Sequence, residues 1–420
     1  MARPAQPPDS PGAPNDVSYR ALLVQRNFTL FFIGTTASTL GSAVVPVALT
    51  FALLRVGYTA TEIGFVLAAQ TAPTVILILA GGVIGDRWPR RRIMMMADFL
   101  RCLCQGGLAV LLASGHPPLS LLMLLAGCLG AGNAFFGPAE IGLIAQITGD
   151  KMRIRAANGL LGISGSVSAI LGPALGGILV GLGDAPLGIG LDALTYAISA
   201  ACLSLIDLPA HERKISNSFL TDLRQGWAEF RRHRWLQLVT AQYGLLNLVT
   251  FAPFFVLGPV LFARMPNGGR SWGLIASATG AGGVLGGLLI LRIRPSRPLV
   301  AVEIAAALLA TPLLVLAVHA PLSLLVISSA VFGAALAILN VTVTTTIQER
   351  VPDEVLSRIN ALFSVIATGL GPIGFALCGP VAYFVGARNA LGVGSGITFL
   401  SAAALLSLGH IRHVKAVRNP

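Results

Sequence analysis

Apolar runs long enough to cross a bilayer follow one another along almost the whole chain, parted by short polar stretches. A bilayer core about 30 Å thick takes ~20 apolar residues per helix. A window of ~19 residues predicts helices over 28–54, 62–84, 93–113, 119–147, 156–181, 187–206, 236–263, 271–291, 299–318, 321–346, 357–384 and 389–410. The runs are continuous, not alternating, which argues against the period-two strands of a membrane barrel. Two segments interrupt them. Residues 1–20 are Pro-rich and polar and lack the basic-then-apolar order of a secretory signal, so they predict a disordered tail. Residues 208–235 include SFLTDLRQGWAEFRRHRW, where Phe219, Leu223, Trp227 and Phe230 recur at helical spacing. That pattern predicts an amphipathic helix on the membrane surface, tethering two sets of spans.

The two sets repeat. AGGVIG at Ala80–Gly85 returns as AGGVLG at Ala281–Gly286, Asn158 returns as Asn360, and Gly172-Pro173 returns as Gly371-Pro372. The three offsets are 201, 202 and 199 residues. The fold class that follows is an all-α integral membrane protein, with twelve transmembrane helices in two pseudo-symmetric six-helix halves. The halves are 21–207 and 236–410, joined by the linker 208–235 and followed by a short tail, 411–420.

Charge sets an orientation. Only 11% of the 420 residues are charged and 55% are hydrophobic, far from a soluble composition. Twenty-four of the 29 Lys and Arg fall before the first predicted helix, in the C-terminal tail, in the linker and in the loops at 87–92, 151–155, 292–297 and 350–358. The opposite loops hold Arg55, Arg264, Arg270 and Arg388, and Arg101 lies inside a predicted helix. This asymmetry predicts both termini in the cytoplasm and a multi-pass protein of the plasma (inner) membrane. The net charge of +12 is then a topology device that also contacts anionic lipid. No basic soluble module with interleaved aromatics exists to bind nucleic acid.

Enzyme chemistry finds little support. The five cysteines, Cys102, Cys104, Cys128, Cys202 and Cys378, sit in apolar runs without metal-ligand spacing, so neither a metal nor another cofactor is expected. The six histidines lie in loops, tails or helix ends, which leaves no buried acid–base pair for a membrane-embedded enzyme. No phosphate-binding loop with G-x-x-x-x-G-K-S/T spacing is present.

Between the second and third predicted helices lies GVIGDRWPRR, Gly82 to Arg91. It resembles the loop signature G-x-x-x-D-R-x-G-R-R/K of the major facilitator superfamily, with Pro89 in place of the second glycine. The resemblance implies that Asp86 meets the N-terminal end of the eleventh helix, where exposed N–H groups favour an anion. Asp86 would then latch the cytoplasmic side shut, with Arg87, Arg90 and Arg91 as its partners. GLLGISGSVSAILGPALGG in the fifth helix resembles the antiporter signature of the same superfamily through Gly159, Gly172, Pro173, Gly176 and Gly177, with Ser168 replacing one glycine. That signature implies export rather than uptake. RNFTLFFIGTTASTLGSAV, FFGPAEIGLI and QERVPDEVLSRINAL are similar to the branch holding enterobactin exporters and macrolide efflux proteins. The R-x-x-x-G pattern of the fourth helix found in exporters is missing. Siderophore export and uptake remain alternatives within the fold.

In this family helices 1, 4, 7 and 10 line the cavity. The polar and aromatic residues they would contribute here are Thr39, Ser42, Asn133, Phe135, Phe136, Gln242, Tyr243, Asn247, Phe254, Phe255, Asn340 and Thr344. Amides, hydroxyls and rings with little charge suit a small amphiphilic compound such as a drug, antibiotic or natural product. Ionisable groups inside the membrane are the candidates for coupling transport to protons. They are Glu140, Asp98, Arg101, Asp192 and Glu303. Asp98 and Arg101 stand i,i+3 and are expected to pair. Glu140 ranks first for coupling, with Arg90 as an exchangeable partner, and Glu303 is close enough to a helix end to snorkel. The expected partners are the amphiphilic substrate, protons and lipid, and the expected state is a monomer.

Overall fold

The computed structural model describes residues 22–115, 117–208, 219–293 and 295–414, without the side chains at 79–87, 151, 219–223, 353–354 and 357. The predicted tail 1–20 and most of the tail 411–420 lie outside these residues. Among them, twelve helices are long and apolar enough to cross a membrane. Spans 1 to 6 are Arg26–Val56, Ala60–Ile78, Arg90–Ser114, Leu119–Thr148, Met152–Gly181 and Ala185–Ser204. Spans 7 to 12 are Arg234–Ala263, Gly268–Arg292, Pro298–Ala317, Leu322–Arg350, Arg358–Val385 and Ala387–Ser407. The helix of span 2 continues to Arg87.

Three spans are irregular, each for a local reason. Span 7 carries a π-turn at Asn247–Phe251, and Asn247 Nδ2 donates to the carbonyls of Tyr243 and of Ala367 in span 11, both at 3.0 Å. Span 9 breaks before Pro312 and span 11 before Pro372. A proline lacks the N–H needed one turn back and clashes with that carbonyl. The helix therefore restarts with the proline in its first turn.

Span 1 packs on spans 5 and 6, span 3 on 4 and 6, and span 2 on 4. Among the later spans, 8 packs on 10, and 9 on 10 and 12. Lipid-embedded helices have no hydrophobic drive toward one another, so small residues that admit close approach decide which faces meet. The glycines of GPALGG show it. Gly176 faces the Val44 carbonyl of span 1, where a Cβ would sit 2.8 Å away. One position on, a Cβ at Gly177 would stand 2.9 Å from Gly273 Cα in span 8. This stretch therefore holds span 5 against its own half on one side and against the other half on the next.

The linker enters the bundle where spans 6 and 7 end and begin, which marks one end of the molecule. The two halves meet mainly toward the opposite end. There span 5 meets span 8, the start of span 2 meets the last part of span 11, and the second part of span 7 meets spans 1 and 2. The far end is therefore sealed. The linker helix, Phe219–Arg232, is docked on protein rather than left on the membrane surface alone. Its Gly226 packs on Arg358 and Leu362 of span 11, and Arg358 donates to Gln225 Oε1 at 2.6 Å. The expected apolar face divides, since Phe230 is buried and Trp227 stays exposed.

The far-end seal is testable at Gly273, where a Cβ would stand 2.7 Å from the Pro173 carbonyl oxygen and 2.8 Å from Gly177 Cα. Both are backbone atoms with nowhere to go. Gly273→Val should loosen the seal by about 1–3 kcal/mol, the usual range for overpacking. In a cysteine-free background, Val180→Cys should label faster with a membrane-impermeant maleimide when Gly273→Val is added. Gly287→Ala, which meets nothing within 4 Å, is the control. Equal labelling in all three would show that the contact does not hold the halves together.

Candidate functional site

A cavity of about 970 Å³ lies at mid-depth between the two halves. Its walls come from spans 1 to 8 and 11, and span 10 contributes no residue. The expected lining by spans 1, 4, 7 and 10 is therefore corrected in part. Span 10 is drawn behind span 8, where Gly282 and Gly286 pack on Ala330 and Ala334. Asn340 accepts a 2.9 Å bond from the Tyr243 hydroxyl, so these two amphipathic groups satisfy each other away from the cavity. Thr344 is exposed on the same span, also off the cavity.

The other cavity candidates divide. Ser42, Asn133, Asn247 and Phe255 line the space. Thr39 lies outside it, and its hydroxyl donates to the Thr35 carbonyl one turn back at 2.7 Å. Phe254 is core, stacked on Phe332 at 5.1 Å. Phe135 packs in a cluster around spans 1, 3 and 4. Phe136 lies beneath Arg101, whose guanidinium carbon is 3.8 Å from the ring centre. Gln242 is buried beside Glu303, away from the cavity.

The ionisable residues form two unlike groups. In the N-terminal half, Arg101 pairs with Asp98 as the i,i+3 spacing predicts. Its guanidinium also reaches Asn133 Oδ1 at 3.4 Å and stacks on Tyr196 at 4.5 Å. Glu140 lies within electrostatic reach of both Arg101 and Asp98 but does not line the cavity. Asp192 does line it. One Asp192 oxygen accepts from Ser42 at 3.2 Å and Thr195 at 3.3 Å, and Ser42 bonds the Tyr196 hydroxyl at 2.9 Å. A chain of contacts thus runs from the cavity through Asp192, Ser42 and Tyr196 to Arg101. In the other half Glu303 is fully buried, which rules out the snorkelling expected of it. It faces Gln242, and neither side chain makes a well-formed hydrogen bond among the described residues.

At the cationic loop, Arg90 donates to the Gly142 carbonyl of span 4 at 2.8 Å. Arg91 donates to the carbonyls of Ser204 and Ile206 at the end of span 6. Both tie span 3 into its own half. Gly82, Asp86 and Arg87, the expected latch, fall where side chains lie outside the described residues. In the antiporter-like stretch, Gly172 packs on Ala43 of span 1 and Pro173 lines the cavity, while Gly159 is exposed. Residues missed from sequence include Gln105, Tyr196 and Trp272, all on the cavity wall. Gln105 had a readable signal, since an amide inside an apolar span asks for a partner.

The profile of the Major Facilitator Superfamily matches residues 31–375. The multidrug efflux pump Tap of Mycobacterium tuberculosis is 27% identical over 369 residues, 84% of this chain and 86% of the relative. The putative bacilysin exporter BacE of Bacillus subtilis is 28% identical over 219 residues, 50% of this chain and 52% of the relative. Among solved structures, the nucleoside transporter NupG superposes with a TM-score of 0.70 at 15% identity, covering 90% of this chain and 98% of that one. A POT family transporter bound to a thioalcohol-conjugated peptide also gives 0.70, at 11% identity and 90% and 95% coverage. At these identities the structures speak to fold.

The Arg101 pair carries a stability prediction. Removing one partner of a buried ion pair leaves an uncompensated charge, a loss of about 3–5 kcal/mol, whereas removing both is far milder. Arg101→Met should lower the melting temperature in detergent markedly. Adding Asp98→Asn should restore part of it, with the remainder reflecting Glu140 and Asp192. If the double variant melts no higher than Arg101→Met alone, the pair is not what Arg101 stabilises.

Proposed function

The chain belongs to the major facilitator superfamily, and from that premise we propose that it exports a small amphiphilic compound in exchange for protons. The observation that carries this reading is the mid-depth cavity between the halves, largely apolar and with Asp192 as the one carboxylate among its described lining residues. No Lys, Arg or His is among them. Rocking of the halves about this fixed site would expose it to each side in turn. The direction, export, draws on the likeness of span 5 to the antiporter signature and on relatives named as a multidrug efflux pump and a putative exporter.

Asp192, rather than Glu140, is the better coupling residue. A carboxylate that exchanges a proton for substrate must stand where substrate and water both reach it, and Asp192 lines the cavity while Glu140 does not. The groups facing Asp192 are Ser42, Thr195, Tyr196 and the cation Arg101. Movement of Arg101 toward or away from it would change the stability of its charge, because a nearby opposite charge favours ionisation. The Asp98–Arg101 pair and Glu140 would then set where that cation rests. In the state sealed on the linker side, Asp86 would hold the latch.

Three measurements test this. In liposomes with ΔpH as the only gradient, Asp192→Asn should fail to concentrate substrate while still exchanging it downhill, and Glu140→Gln should retain uphill transport. Uphill transport by Asp192→Asn would exclude it as the coupling group, and wild type indifferent to ΔpH would end the antiport reading. Asp86→Asn should weaken the linker-side seal by about 0.3–2 kcal/mol, the worth of an anion at a helix terminus. That shifts a balanced equilibrium severalfold and raises labelling of cavity cysteines from that side. A C-terminal fluorescent protein should mature in a bacterial host and a C-terminal periplasmic phosphatase should stay inactive. The reverse would overturn the cytoplasmic placement of the termini.

A further inference from the structure

The wall of the cavity formed by spans 3 and 6 holds an amide that no described residue satisfies. Gln105 lines the cavity and is 1% exposed, and neither its Nε2 nor its Oε1 has a hydrogen-bond partner among the described residues. Buried side-chain amides are nearly always partnered, so one left without a partner beside a cavity points to a ligand or water that completes it. Asp192 stands beside it in depth. Spans 3 and 6 run antiparallel, with Gly106 opposite Ala193 and Gly190 opposite Ala109. Gln105 and Asp192, each one position from the Gly106–Ala193 contact, are thus brought to one level.

We propose that Gln105 and Asp192 form a head-group subsite for a protonated amine that bears N–H and carries a hydroxyl or carbonyl a few atoms away. This rests on the reading of the cavity as the substrate site. The carboxylate supplies the counter-charge, and its acceptor lone pairs favour an ammonium with an N–H to donate. A quaternary ammonium is best held by open aromatic faces, and the ring nearest Asp192, Tyr196, already stacks on the Arg101 guanidinium. Gln105 offers both a donor and an acceptor, which match a neighbouring hydroxyl or carbonyl. A carboxylic acid meets no Lys, Arg or His among the described lining residues, and the nearby Arg101 is already paired with Asp98. The facing half presents Phe255, Trp272 and Phe375 for an apolar body.

Calorimetry on the full-length protein in detergent tests the subsite without any gradient. The probes are propranolol (a secondary amine with a nearby hydroxyl on a naphthyl body), its deshydroxy analogue, its N-methyl quaternary derivative and 1-naphthoxyacetic acid. Wild type should bind propranolol roughly five- to tenfold tighter than the deshydroxy analogue, the worth of one hydrogen bond. The quaternary derivative should bind more weakly than propranolol, and the acid not detectably. Gln105→Leu should erase the preference for the hydroxyl and melt no lower than wild type, because it removes an unpaired polar group. Asp192→Asn should lose affinity for both amines while retaining the fold. Equal binding of quaternary and secondary amines overturns the subsite, as does a hydroxyl preference that survives Gln105→Leu. A Gln105→Leu protein that melts well below wild type also overturns it, because the amide would then have a structural partner. Binding as expected in a protein that fails uphill transport would leave the subsite standing and remove only the antiport reading.

Discussion

Helices that sit in lipid gain nothing from hiding apolar surface from one another, because the surrounding tails are as apolar as they are. Contact between spans depends on how closely their backbones can approach. That constraint organises this molecule. The glycine-rich stretch of span 5 meets span 1 through Gly172 and Gly176 and span 8 through Gly177 and Gly273. The start of span 2 meets span 11 through Gly64 and Gly379. These seams lie toward the end away from the linker, which closes there and leaves the cavity at mid-depth. Span 10, drawn to span 8 by Gly282, Gly286 and Gly333, is removed from the cavity wall by the same force.

A second constraint is the expense of charge without water. The N-terminal half meets it by sharing. Arg101 serves Asp98 directly, lies within reach of Glu140 and Asp192, and places its guanidinium on the faces of Phe136 and Tyr196. One cation among three carboxylates is a poised arrangement, because any shift in its position alters which acid it stabilises. Among the described residues of the C-terminal half, Glu303 is the buried acid, with an amide beside it and no salt bridge. The halves are alike in fold and unlike in electrostatics. The titratable machinery at the cavity belongs to one of them.

The linker joins these themes. Its helix is fastened to the start of span 11 by Gly226 and by the Arg358–Gln225 bond. Span 11 in turn is tied to the π-turn of span 7 by Asn247. Linker, span 7 and span 11 form one connected unit at the end of the bundle where the halves touch least, so the segment joining the halves belongs mechanically to the second.

The twelve spans and the offset repeat were written in the chain itself. Length and apolarity are one-dimensional properties, and a bilayer reads them without reference to neighbours. The Asp98–Arg101 pair was equally legible, since i,i+3 spacing on one helix brings the groups together whatever surrounds it. The walls of the cavity were not. A span that is apolar on every side has no pattern to tell which face looks at a partner, a cavity or lipid, so Tyr243, Asn340 and Gln242 read as cavity residues and are not. Tyr196 and Trp272 line the cavity without any such signal, whereas Gln105 stands out as an amide inside an apolar span. Only packing settles that rotation, because it depends on which small residues on two distant spans meet. The chain by itself determined how many helices cross and which charges lie within them. The tertiary structure alone decided that Asp192, not Glu140, faces the cavity.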